Sequence, residues 1–103
     1  MYNVIVTDLA QNTLRHIVMY ITDNLKNKKA ANDFLDEVTL TYKNLASTPF
    51  MYEACKDARL KKLGYRRVVI KNYILVYRIA EDNEDVYILR LFYGGSNYEN
   101  ILI

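Results

Sequence analysis

Apolar residues change their spacing twice along this chain, and each change marks a change of element. Residues 2–6 hold Val4, Ile5 and Val6 in one β-prone run, an opening strand. From residue 8 the spacing becomes helical. Leu14, Ile17, Val18, Ile21 and Leu25 fall on one stripe, which predicts a helix from 8 to about 25. Asp8 followed by Gln11 has the pattern of a capping box, so Asp8 is the expected N-cap. The stretch 24–27, polar except for Leu25, breaks the helix. Ala31, Phe34, Leu35, Val38, Tyr42 and Leu45 resume the stripe as a second helix. Ser47-Thr48-Pro49 ends that helix, because the residue before a proline avoids helical backbone.

Residues 50–62 show weak periodicity and predict an ordered connection or loop. Three β-rich runs follow, at 65–70, 73–80 and 86–93. Lys71-Asn72 is a two-residue link in which the asparagine suits a positive φ. The acidic stretch 81–85 turns the next pair, and Gly94-Gly95 opens a tail over 96–103. The order βααβββ predicts a single α+β domain over 1–103. Its helical hairpin packs on one face of a mainly antiparallel sheet.

Alternation along the strands sorts the side chains. Leu75, Ile79, Leu89 and Leu91 are expected to meet the helices, together with Tyr73, Tyr77, Tyr87 and Tyr93. Ile74, Val76, Arg78, Ile88, Arg90 and Phe92 then point the other way, joined by either Arg66 or Arg67. The expected result is an open sheet face that is basic and rimmed by aromatic rings. Tyr20, Tyr42, Tyr77 and Tyr87 read as core or core-edge residues, and Tyr65, Tyr93 and Tyr98 as exposed.

Charge sharpens this picture more than overall composition does. The 103 residues carry a net charge of +2 and are 51% hydrophobic, ordinary values for one globular domain. No apolar run approaches the roughly 18 residues that span a bilayer, and the N-terminus lacks a signal-peptide pattern. A cytoplasmic protein without a membrane partner is expected. The single Cys55 and single His16 lie far apart, which argues against a disulfide framework, structural zinc or a Cys–His catalytic pair. No cofactor is expected. Between Lys56 and Arg78, however, Lys56, Arg59, Lys61, Lys62, Arg66, Arg67, Lys71 and Arg78 face only one acid, Asp57. The acids gather at Asp33, Asp36 and Glu37 and in the 81–85 turn. Such asymmetry suits a polyanionic or acidic partner.

Three stretches, VIVTDLAQNTLRHIVMYI, LGYRRVVIKNYILVYRI and VYILRLFYGGSNYENIL, together resemble the toxins of type II toxin–antitoxin modules. The superfamily is RelE/ParE, often labelled plasmid stabilisation proteins, and the likeness covers nearly the whole chain. It implies a growth-arresting toxin neutralised by a cognate antitoxin. RelE-like members cleave messenger RNA on the ribosome without metal, using basic and tyrosine side chains. ParE-like members poison DNA gyrase.

Metal-free RNA cleavage needs the 2′-OH deprotonated, the phosphorane charge neutralised and the leaving oxygen protonated. Candidate parts for catalysis are Arg66, Arg67, Arg78, Arg90 and Tyr98. The wider set for binding target or nucleic acid adds Lys71 and Tyr93. Two departures from the RNase pattern stand out. Where RelE-like toxins place an arginine after the "GY" of the central strand, this chain has Ile74 after Asn72-Tyr73. Where relatives continue the last strand as G-x-R-[DE], Ser96 and Asn97 follow Gly94-Gly95. The resemblance therefore leans to the ParE-like branch and a gyrase-binding toxin. A ribosome-dependent mRNA endonuclease, a non-catalytic nucleic-acid-binding domain and an inactive copy are the alternatives. Oligomeric state is left open.

Overall fold

The computed structural model describes residues 1–95. Ser96, Asn97 and Tyr98 lie outside the described residues. β1 (Asn3–Val6) leads into α1 (Asp8–Met19), and the cap is Thr7 rather than Asp8. The Thr7 side chain accepts from the Ala10 amide at 3.2 Å while its hydroxyl donates to the Ile88 carbonyl at 2.8 Å. Thr7 can thus cap the helix and bind the sheet at once, which Asp8, one residue inside, cannot. α1 runs on into a π turn, Tyr20–Asn24, before the break. α2 (Lys28–Ser47) starts from an Asn27 cap and ends before Pro49.

The connection after α2 is more ordered than its periodicity suggested. Pro49–Met51 forms one 3-10 turn. Residues 53–55 then run beside β2 (Tyr65–Ile70), with Cys55 N–H donating to Tyr65 O at 2.9 Å and Arg67 N–H to Glu53 O at 3.0 Å. A short helix, α3 (Ala58–Lys62), follows, capped by the Asp57 carboxylate. β3 (Tyr73–Ala80) and β4 (Asp85–Tyr93) complete a sheet of order β1-β4-β3-β2. The β2-β3 and β3-β4 pairs are antiparallel and the β1-β4 pair is parallel, so the expected α+β architecture holds.

Two expectations about the sheet faces fail, each for a physical reason. A bulge shifts the register opposite Val76 and Tyr77, so that Val76 pairs with Arg90 but Tyr77 pairs with Ile88. One extra residue reverses the alternation. Val86 and Ile88 therefore join Leu75, Tyr77 and Leu91 in the core under the helices, and Leu89 turns to the other side. Nor is that other side open. Leu60 of α3 and Cys55 cover its middle, making a second small core with Ile74, Val76 and Phe92. Tyr65 is half-buried against this core rather than exposed, whereas Tyr20 is exposed.

The two layers are tied together through Tyr77. Its side chain is fully buried, and its hydroxyl donates to the Pro49 carbonyl at 2.7 Å. Burial pushes the Tyr77 phenol up to about 12, opposed in part by the nearby Arg66 charge. Burial also raises Tyr42 and Tyr73. A phenol whose pKa is higher folded than unfolded supports the fold fully below about pH 10, and that support is lost as pH rises towards about 12. Stability should therefore fall steeply over that window. Tyr77→Phe should lower stability near neutral pH by about 1–2 kcal/mol and flatten the alkaline loss. Denaturant unfolding of both proteins across the window measures both effects; equal slopes would show that Tyr77 does not carry the pH dependence.

Candidate functional site

The β2-β3 turn projects at the end of the sheet where the helical hairpin also turns. Two clefts flank it. One, of about 320 Å³, is lined by Arg67, Val69, Lys71, Asn72, Tyr73, Ile74, Tyr93, Gly94 and Gly95. The other, of about 260 Å³, lies against the helices and is lined by Ile21, Leu25, Ala30, Asp33, Phe34, Lys71, Asn72 and Tyr73. Lys71, Asn72 and Tyr73 are the wall between them.

Local chemistry holds this wall rigid. Lys71, not Asn72, takes the positive φ of the turn, at 55°. A side chain with a Cβ is strained in that region. Gly94 N–H donates to the Asn72 carbonyl at 2.7 Å, and a Cβ on Gly94 would lie 3.1 Å from that oxygen. A Cβ on Gly95 would lie 2.8 Å from the Tyr93 ring. The double glycine thus lets the strand end close against both the turn and the ring. Tyr73 packs between Phe34, at 5.1 Å between centroids, and Tyr93, at 6.0 Å edge to face.

The expected site residues divide among several places. Arg67, Lys71 and Tyr93 meet in the first cleft. Arg67 pairs with Val76, and so with the face away from the helices, where its guanidinium lies 3.2 Å from Glu53. Arg66 points to the helix side instead. It donates to the Tyr52 carbonyl at 2.7 Å and lies 5.0 Å over the Phe50 ring. Arg90 shares a cross-strand row with Val76 and Arg67, and its guanidinium sits 4.8 Å over Phe92. Its buried Nε has no hydrogen bond among the described residues. Arg78 is exposed further along β3, flanked across the strands by Tyr65 and Tyr87. Ile74 lines the cleft floor yet is only 6% exposed, because it belongs to the second core.

The sequence reading did not single out Val69, Asn72 or Tyr73. The positive φ demanded by a two-residue turn was visible, but its placement on Lys71 depends on the strand register. Chemically, the first cleft offers two cations and phenol donors. Tyr73 is raised by burial first and then by Tyr20 and Tyr93, so at neutral pH its phenol keeps its proton and could act as a donor but not as a base. The cleft is suited to holding an anionic or polar group.

The family profile of the ParE toxin of type II toxin–antitoxin systems, parDE, matches residues 4–98. The chain belongs to this family of toxins. No curated protein matches the sequence. Among solved structures it is similar to a chain of the chromosomal ParDE toxin–antitoxin system from P. aeruginosa. That match has a TM-score of 0.69 at 15% identity and covers 90% of this chain and 96% of that one. It is also similar to a chain of the RelBE2 toxin–antitoxin complex from Mycobacterium tuberculosis, with a TM-score of 0.62 at 19% identity. There the match covers 89% of this chain and 90% of that one. At such identities the likeness is one of fold. No helix among the described residues is long and apolar enough to cross a membrane.

The strained turn gives a test of the site. Lys71→Gly removes the left-handed penalty and the ammonium together. It should raise stability by about 0.5–1 kcal/mol while weakening growth arrest on induction. A loss of stability would show that the turn is not strained.

Proposed function

We propose that this toxin arrests growth by binding a protein target, DNA gyrase being the one its ParE-like character implies, and that it does not cut RNA. The observation that carries this reading is Ile74. It stands where RNA-cutting relatives bear an arginine, and its side chain packs with Leu60, Val76 and Phe92 in the second core. Removing one charge-stabilising donor from a transition state costs on the order of 10²–10³ in rate. Here the donor is replaced by a core residue. Arg66, Arg78 and Arg90 are not among the residues that line the cleft. A cognate antitoxin is the second partner, an expectation supported by the toxin–antitoxin complexes in which similar folds occur. The mRNA endonuclease reading keeps one supporting feature, the convergence of Arg67 and Lys71 on one cleft.

The purified toxin should inhibit gyrase supercoiling or trap cleavage complexes, and should leave ribosome-bound messenger RNA intact. Codon-specific cutting with no effect on gyrase would overturn the proposal. Ile74→Arg should lose about 2–5 kcal/mol of stability by overpacking the second core and placing an unpaired charge in it and gain no cutting activity. Restored cutting would place the catalytic centre at this cleft after all.

A further inference from the structure

Over its last residues β4 has a strand neighbour on one side only. Its parallel pairing with β1 ends at Val6 opposite Ile88, while β4 continues to Tyr93. Gly94 N–H donates to the Asn72 carbonyl at 2.7 Å, so the Gly94 backbone faces the β3 side. Backbone direction alternates along a strand. Phe92 therefore also faces β3, and Leu91 and Tyr93 direct their N–H and C=O groups away from it. No strand among the described residues lies beside them. Such an edge is a template for a further strand, but an edge alone names no partner. Arg90 supplies the second observation. Its guanidinium lies 4.8 Å over the ring of Phe92, on the face away from the helices. Its Nε is buried without a hydrogen bond, and no carboxylate pairs with the guanidinium among the described residues. Arg67, whose Nε is also buried, has Glu53 at 3.2 Å. A desolvated cationic donor without an acceptor is costly, and points to an anion supplied from outside.

We infer that an extended segment of the antitoxin adds to the sheet along Leu91–Tyr93 and brings a carboxylate to Arg90. This rests on the reading of a cognate antitoxin as the toxin's second partner. Main-chain bonds to Leu91 and Tyr93 hold the segment in register, and the Arg90 fork selects an acidic residue on it. A residue of the added strand opposite Arg90 or Phe92 shares their face, within reach of the guanidinium. A second copy of this chain fits less well. Residues 86–95 contain no acid, so two such edges placed together bring arginine to arginine and no carboxylate to either. Nucleic acid fits less well too, because the outward carbonyls of Leu91 and Tyr93 are acceptors, as phosphate oxygens are. Tyr93 also lines the first cleft, so a segment on this edge stands beside the surface at the β2-β3 turn and gives a route to neutralisation.

The test uses the full chain as wild type, Arg90→Met and Arg90→Lys, with the protein encoded by the adjoining reading frame as the antitoxin probe. In the free toxin Arg90→Met should hold or raise the thermal midpoint, because it removes a desolvated donor that has no partner. A fall would show that Arg90 is already satisfied and overturn the inference. Arg90→Met should bind the antitoxin at least tenfold more weakly, and Arg90→Lys should lose less. Amide exchange read residue by residue should slow at Leu91 and Tyr93 on binding, while Phe92, already facing β3, changes little. Equal affinity of wild type and Arg90→Met, or no added protection at Leu91 and Tyr93, would overturn the inference and leave the antitoxin reading standing. A probe that binds none of the three proteins overturns both. Glu99 lies outside the described residues. Coupling between Arg90→Met and Glu99→Gln in the stability of the free toxin would make this chain the source of the carboxylate and overturn the inference.

Discussion

The hydrogen bond from Tyr77 to Pro49 is the constraint from which the rest of the architecture follows. A fully buried hydroxyl needs a partner, and the one within reach is a carbonyl just past the end of α2. Holding Pro49 there directs the chain along the outer edge of β2, where residues 53–55 pair with it. From that edge α3 folds across the face away from the helical hairpin. Leu60 and Cys55 then cover Ile74, Val76 and Phe92. One buried polar contact thereby leads to a sheet covered on both faces in a chain of only 103 residues.

Covering both faces disperses the basic segment. A contiguous positive surface would need its arginines side by side in water. Instead Arg66 stacks on Phe50, Arg67 pairs with Glu53, Arg90 lies over Phe92 and Arg78 stands apart between two tyrosines. Each guanidinium is placed by a different neighbour. Their charges raise the local potential around this segment, while the acids gather elsewhere, at 33–37 and 81–85.

The relatives show how little of this needs particular residues. The same fold appears in chains only 15% and 19% identical. Apolar pattern and approximate volume suffice to specify such an architecture, since cores tolerate extensive substitution when patterning is kept. Activity is more demanding, because a reacting phosphate requires given atoms at given positions. A fold can therefore persist across relatives whose target-facing residues have diverged.

Unlike α3, the opening strand, the helical hairpin, the three closing strands and the toxin family were legible in the residues. Each is written in local periodicity or in an ordered set of short stretches. The Gly94-Gly95 pair was legible as a strand end, though not its closure on Asn72 and Tyr93. What the sequence could not disclose is everything that depends on register and on distant partners. The bulge opposite Tyr77 adds one residue to one strand, which no single-strand alternation reveals, and it moved Ile88 inward and Leu89 outward. The choice between Arg66 and Arg67 rested on the pairing of β2 with β3. The burial of Ile74 required α3 to return over the sheet. Local pattern determined the two long helices and the strands; only their packing decided which cations reach water, because a side chain's exposure is set by what folds over it.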